Sequence, residues 1–394
     1  MVLLKILLSA LVAFLGTSWV HPYILKIAQN KNIVDNPDAR KLQRIPIPVL
    51  GGISVVFGIL VGAVGFNLYG DFNDMLPILV ATTIIMVIGM IDDIIDLSPR
   101  TRFVAEILLV IALIYTANNQ INDFKGLWGL DMIPNWWSIP LTIFACVGII
   151  NAVNLIDGVD GYSSGYCVVA CTLFGVMFYQ IGDINMTALA AMVVGALIPF
   201  FFHNVFGKYS KMFIGDSGTL AMGVILSSFV ATLLSSSTDT SAVDPNLGMV
   251  PFTLAVMCVP VFDTLRVMSA RMVRHQSPFH PDKTHLHHLF IDLGFSHIGT
   301  TFAIICINLL VVALWFVSYK LGAPIDLQLY IVIGLGILIT FVFYWLMRRL
   351  MRSNHYVYQC FHRLGTLTHI EQYRIWAVTQ RWLDKSDNHP IVNK

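Results

Sequence analysis

The sequence predicts an all-α, polytopic integral membrane protein with about eleven transmembrane helices. Three observations predict it. Of its 394 residues, 56% are hydrophobic and 12% charged, whereas soluble domains carry about 25% charged residues. Apolar runs recur at close to the length a bilayer demands, about 20 residues each. Lys and Arg alternate in density from one intervening segment to the next, as cytoplasmic and external loops do.

The runs fall at about 3–24, 49–69, 76–91, 103–117, 137–153, 163–181, 186–202, 217–235, 249–268, 299–319 and 327–347. Backbone groups in lipid need partners within the protein, so runs this continuously apolar are helices. The first is long for a signal peptide and lacks a small-x-small cleavage site before His21, so it reads as a retained helix. With the N-terminus periplasmic and the C-terminus cytoplasmic, only Lys5, Lys125 and Lys320 of the 24 Lys and Arg lie outside. Residues 1–350 then form the transmembrane domain. Residues 351–394 form a cytoplasmic tail whose Tyr356, Tyr358, Phe361, Trp376 and Trp382 suit an amphipathic surface helix.

The net charge of +1 implies no attraction to nucleic acid. The six cysteines form no CxxC pair and mostly sit in apolar runs, as small packing residues do. The segments 26–48, 92–102, 154–162, 203–216 and 269–298 all fall on the cytoplasmic side and hold the acid-dense and His-dense motifs. They are placed to line one cleft.

The first motif, Asp92-Asp93-Ile94-Ile95-Asp96, ends an apolar helix. Acids at a helix C-terminus oppose the macrodipole, and adjacent carboxylates at a membrane boundary repel. A divalent cation or a proton-transfer role would offset that cost; the plain alternative is a solvated cap. The second motif runs from Asn151 through Asn154, Asp157 and Asp160 to Gly161. Asn154 and Asp157 share a helical face, and Gly158 and Gly161 permit a sharp turn. Oxygen ligands of this kind suit Mg²⁺, although Asn/Asp/Gly turns between helices are common.

The third motif, Phe213-Ile214-Gly215-Asp216-Ser217-Gly218, precedes an apolar helix. Asp216 beside helix-start N–H groups is a plausible metal and phosphate cradle, and Phe213 is placed to stack on a base. Alone it is an ordinary N-cap and turn. The fourth is the basic loop 271–288, with Arg271, Arg274, His275, His280, Lys283, His285, His287 and His288. Without nearby Cys it suits clamping of a diphosphate better than zinc; its plain alternative is a positive-inside loop. Asp263, an acid in an apolar run, is explained most simply by Arg266. His203 and Asn204 mark a helix end.

Taken together, Asp-Asp-x-x-Asp, Asn-x-x-Asn-x-x-Asp-Gly-x-Asp-Gly, Phe-x-Gly-Asp-x-Gly and His-x-His-His resemble the polyprenyl-phosphate N-acetylhexosamine-1-phosphate transferases. The similarity spans about 34 to about 295. It implies transfer of an N-acetylhexosamine 1-phosphate from a UDP-sugar to undecaprenyl phosphate, with release of UMP. The implied cofactor is Mg²⁺, with Mn²⁺ as a substitute, and the implied place is the cytoplasmic face of a bacterial inner membrane. Asp96, where the muramoyl-pentapeptide branch has Lys, and Leu286 within the His run resemble the branch that uses UDP-N-acetylglucosamine and starts O-antigen, lipopolysaccharide or related surface glycans.

Carried over by position, Asp216 resembles the metal ligand, with Asn154 the second. Asp92 resembles the group that deprotonates or positions the lipid phosphate, and Asp93 helps hold it. Asp157 and Asp160 resemble nucleotide contacts and Phe213 the uracil stacker. Arg271, His285, His287 and His288 resemble phosphate or sugar clamps. Attack in one step and a covalent two-step route both stay open, as does a homodimer. The rival in another reaction class is an intramembrane Mg²⁺-dependent prenyltransferase, and a transporter is a further one. The Asp-Gly-x-Asp-Gly element and the His-rich loop favour the nucleotide-sugar reading.

Overall fold

The computed structural model describes residues 2–37, 45–67, 75–278 and 283–385. Of the sequence features above, His280, part of the segment 26–48, the end of the run 49–69 and the end of the tail 351–394 lie outside them.

Helix α1 (Val2–Asn30) leads to a short antiparallel ribbon, β1 (Val34–Asp35) with β2 (Ile47–Pro48). Next come α2 (Gly51–Asn67), α3 (Leu76–Ile95), α4 (Pro99–Ala117), α5 (Asn135–Leu155), α6 (Tyr162–Ile181), α7 (Ile184–Phe206) and α8 (Gly215–Leu233). The chain continues through α9 (Met249–Val256), α10 (Cys258–Val273), α11 (Leu286–Asp292) and α12 (His297–Lys320). It closes with α13 (Ile325–Ile337), a π-helical turn, α14 (Tyr344–Arg352), α15 (Tyr356–Thr366) and α16 (Arg374–Lys385).

Each predicted apolar run is helical over most of its described residues. Fewer of them pass a test of length and composition for crossing a membrane. Among the described residues eight helices are long and apolar enough to span a membrane, nine if α9 and α10 count as one broken span. Two runs stay below that test: 17 residues of helix α2 are described, and α4 opens with Arg100 and Arg102 and carries Glu106.

Helix α8 forms the centre, with 89% of its apolar window buried. Small residues let its neighbours approach. A Cβ on Gly52 of α2 would stand 2.1 Å from the Gly218 nitrogen, and one on Gly89 of α3 would stand 2.5 Å from the Asp216 carbonyl oxygen. Backbones this close are the usual device for packing helices where lipid supplies no hydrophobic drive.

The run 249–268 bends by 71° between α9 and α10. A break in an apolar setting exposes backbone groups that must find partners. Asn308 of α12 supplies them: its Oδ1 accepts from the Val259 N–H at 3.0 Å and its Nδ2 donates to the Val256 carbonyl at 3.0 Å. The Tyr166 hydroxyl donates to the same carbonyl at 2.8 Å.

Candidate active site

A cleft of about 1280 Å³ opens at one end of the bundle. Helices α1, α3, α5, α7 and α10 end at it, and α4, α6, α8 and α12 begin at it, as the lining residues Lys31, Asp96, Asn154, Gly207, Arg271, Arg102, Asp160, Asp216 and His297 show. It is larger than the few hundred to about 1,000 Å³ of a typical small-ligand pocket. Every sequence-predicted site residue lines it: Asp92, Asp93, Asn154, Asp157, Asp160, Phe213, Asp216, Arg271, His285, His287 and His288.

One group joins the first three motifs. Arg102 Nη1 stands 3.2 Å from Asp92 Oδ2 and 3.6 Å from Asp216 Oδ2, so one guanidinium bridges two carboxylates from different helices. Its Nε faces the buried Glu106 at 3.7 Å, one helical turn on. Asn154 Nδ2 donates to Asp216 Oδ1 and, at 2.8 Å, to Thr219 Oγ1. Asn151 Nδ2 donates to Glu106 Oε2 at 2.5 Å.

Asp93 points elsewhere. Its carboxylate accepts the N–H groups of Asp216 (2.8 Å) and Ser217 (3.1 Å), the exposed donors at the start of α8. Gly215 makes this approach feasible: it has φ +70°, and a Cβ there would meet Asp93 Oδ2 at 2.6 Å. Asp93 therefore holds Asp216 in place.

The acids outnumber the cations here. Asp92, Glu106 and Asp216 share Arg102, with Asp93 alongside. Among the described residues no three His, Cys, Asp or Glu side chains converge to hold a metal on their own. Mg²⁺ does not require that: it commonly takes one or two carboxylates, with phosphate and water completing its shell. Asp92 and Asp216 fit that requirement. Asn154 faces Asp216 with its amide nitrogen, so it would serve as a ligand only after a half-turn of the amide.

The loop between α5 and α6 forms the next tier. Asp157 accepts from Ser163 Oγ at 2.5 Å, but burial dominates and pushes its carboxyl up to about 7. Asp160 is held below the usual carboxylate range. Burial raises it, but the His297 hydrogen bond and the Lys211 charge outweigh burial. Lys211 Nζ lies 2.7 Å and His297 Nδ1 3.0 Å from Asp160 Oδ2. Asn204 ties this loop to the next one, accepting from the Gly161 N–H at 2.7 Å and donating to the Met212 carbonyl at 3.0 Å.

The His-rich loop makes the far wall. Asp263 accepts from His285 Nδ1 at 2.9 Å and from the Leu286 N–H, and it pairs with Arg266 at 2.7 Å. The predicted Asp263–Arg266 pair is present, and the other oxygen of Asp263 anchors His285. His287 packs on the second motif so closely that a Cβ on Gly158 would lie 2.2 Å from its Nε2. Burial, with His288 and His285 adding to it, holds the His287 imidazole well below its ordinary value. His288 falls to about 4 from burial and the neighbouring His285. Arg271 is buried and donates to the Pro278 carbonyl at 2.5 Å.

A family model described as glycosyl transferase family 4 matches residues 75–234, which carry the first three motifs. A Bacillus subtilis (strain 168) protein named probable undecaprenyl-phosphate N-acetylglucosaminyl 1-phosphate transferase is 30% identical over 325 residues, 79% of this chain and 87% of that protein. The chain belongs to glycosyl transferase family 4. Undecaprenyl-phosphate alpha-N-acetylglucosaminyl 1-phosphate transferases of Yersinia pestis and Escherichia coli (strain K12) are 29% and 28% identical to it. They cover 69% and 72% of this chain, and the matches take in 73% and 76% of those proteins. The resemblance drawn from the motifs is thus borne out.

In this family 4 chain, motif reading misses Arg102, Lys211 and His297, which line the cleft, and the buried Glu106 beside Arg102. Glu106 carried a signal, an acid inside an apolar run. Arg102 and Lys211 look like ordinary positive-inside residues until the helices are brought together.

Proposed function

We propose that the protein transfers N-acetylglucosamine 1-phosphate from UDP-N-acetylglucosamine to undecaprenyl phosphate and releases UMP, at the cytoplasmic face of a bacterial inner membrane. The observation that carries the reading is the convergence of Asp92, Asn154 and Asp216 around Arg102 in a cleft walled by Lys211 and the His-rich loop. The names of the relatives in three bacteria give the acceptor and the sugar.

Mg²⁺, held by Asp216 with Asp92 or a turned Asn154, would supply charge neutralisation on the diphosphate as UMP leaves. Asp92 takes a proton from the lipid phosphate or orients it. A phosphate oxygen then attacks the β-phosphorus, forming the new O–P bond as the bond to the UMP oxygen breaks. Asp93 fixes Asp216 through the start of α8. Asp157 and Asp160 contact the nucleotide, Phe213 stacks on uracil, and Arg271 with His285, His287 and His288 clamps phosphate or sugar. The topology in this reading has eleven crossings with the N-terminus periplasmic. It is supported by the alternation of helix ends at one cleft and by the placement of Lys and Arg.

The test is transfer of radiolabelled sugar to undecaprenyl phosphate by the purified protein, across a panel of UDP-sugars, with and without EDTA. UMP release confined to UDP-N-acetylglucosamine, dependent on Mg²⁺ and abolished in Asp216→Asn and Asp92→Asn, is the expected result. Full transfer by either variant would remove that residue from its role, and transfer in EDTA would remove the metal.

A further inference from the structure

The segment after α14 packs back onto the cleft end of the bundle. Its first half docks on the turn before α12. The Ser296 N–H donates to Thr368 Oγ1 at 2.9 Å and Ser296 Oγ donates to the Thr368 carbonyl at 2.7 Å. His362 and His369 each add a ring nitrogen, at 3.1 Å, to the carbonyls of Leu293 and Gly294.

Its second half docks on the loop between α7 and α8. One oxygen of Asp384 accepts the N–H groups of Lys208 (3.2 Å), Tyr209 (3.1 Å) and Ser210 (3.1 Å), and Ser210 Oγ at 3.0 Å. Successive N–H groups turned onto one carboxylate form an anion nest, which fixes the loop's backbone. The Trp376 ring lies 4.6 Å from that of Phe206, and Gln380, between Trp376 and Asp384 in sequence, lines the cleft.

The two docking points share a property. The residue after Ser296 is His297 and the residue after Ser210 is Lys211, and these are the two groups paired with Asp160. The segment is thus fastened one residue away from each partner of a single cleft carboxylate.

We propose that the C-terminal segment is a positioning strap for the nucleotide-sugar cleft: Thr368 and Asp384 set the places of His297 and Lys211 and, through them, of Asp160. The inference rests on reading Asp160 as a nucleotide contact. A cleft ordered in advance binds more tightly, because ligand binding no longer bears the entropy cost of ordering its walls. The strap therefore acts on donor affinity. The lipid acceptor and the chemical step, which belong to Asp92 and Asp216, do not depend on it.

The experiment compares full-length Asp384→Ala, Thr368→Val and the double variant with wild type, with Thr368→Ser as the conservative control and Asp160→Asn as the reference. Transfer kinetics, UMP binding by calorimetry and thermal unfolding are measured for each. In the double variant KM for the UDP-sugar rises about tenfold, the weight of one lost charge-assisted hydrogen bond. UMP affinity falls in parallel, KM for undecaprenyl phosphate and kcat change less than about twofold, and Thr368→Ser behaves as wild type. Unchanged donor KM and UMP affinity in the double variant, while Asp160→Asn weakens UMP binding, would overturn the strap alone. Wild-type UMP binding by Asp160→Asn would overturn the reading of Asp160 and the strap with it. A uniform loss in both KM values and kcat with a lowered unfolding temperature would reduce the segment to a stabilising one and overturn the proposal.

Discussion

Asp93 grips the first turn of α8 by accepting the backbone N–H of Asp216 at 2.8 Å, across 123 positions of sequence. The second carboxylate oxygen takes the Ser217 N–H at 3.1 Å. Of the two adjacent acids on α3, one therefore holds the other's partner: Asp92 meets Asp216 through Arg102, and Asp93 sets where Asp216 stands.

Replacing Asp93 by Ala leaves two helix-start donors without their acceptor. Loss of such a cap costs about 0.5–2 kcal/mol, and Asp216 loses its fixed place. Asp93→Ala is expected to lower both the unfolding temperature and transfer. Asp93→Asn, which retains one acceptor oxygen, should keep most of the stability and part of the activity. Full activity in Asp93→Ala would show that α8 holds Asp216 without this contact.

Arg102 occupies the space between the two carboxylates proposed to hold the metal. A unit charge at ~4 Å is worth several kcal/mol even at an effective dielectric of about 20. Arg102→Gln should therefore bind Mg²⁺ more tightly, with the half-saturating concentration lowered about tenfold, while turnover falls because a transition-state cation is gone. A Mg²⁺ titration of transfer decides it: an unchanged half-saturation point would mean that Arg102 does not compete for the metal's ligands.

Much of this site was legible before any fold was known, because carboxylates and amides abutting apolar runs are costly and rarely accidental. The sequence places Asp92, Asn154 and Asp216 at helix ends, and the positive-inside pattern puts those ends on one side. It does not say which helices adjoin. Arg102 and Lys211 sit in basic loop stretches where any bilayer-spanning chain would place them, and only the approach of α3, α4 and α8 reveals Arg102 as a bridge. The break at Met257 was hidden for the same reason. The run 249–268 looks continuous, and the residue that satisfies the broken turn, Asn308, lies on another helix. The run 103–117 likewise understates its helix, which begins earlier, at Pro99, and takes in Arg100 and Arg102.

Gly89 tests the packing that supports the acids. A Cβ at this position would lie 2.5 Å from the Asp216 carbonyl oxygen and 2.6 Å from the Ser217 nitrogen, both backbone atoms that cannot swing away. Overpacking of this kind costs about 1–3 kcal/mol, and it separates α3 from α8 where Asp92 and Asp216 face each other. Gly89→Ala should lose transfer by about a hundredfold, since shifts near 1 Å carry that cost, with a modest fall in unfolding temperature. Near-normal transfer would mean that the two helices tolerate a wider spacing than the carboxylate geometry implies.

His288 gives the site a pH response whose sign can be worked out. Its folded value is lowered to about 4 from 6.5, by burial first and by His285 and the cations Lys283 and Arg348 as well, while Asp292 acts in the other direction. The unfolded chain therefore takes up this proton before the folded one does, and stability falls as pH drops below 6.5 toward 4. The contribution is fully present above 6.5, where the imidazole is neutral in both states. His287, held low by burial, adds to the trend in the same direction. His288→Gln removes one of these protons, so unfolding temperatures measured between pH 7 and pH 4.5 should decline less steeply than in wild type. An unaltered slope would mean that His288 takes up its proton in the folded protein as readily as in the unfolded chain.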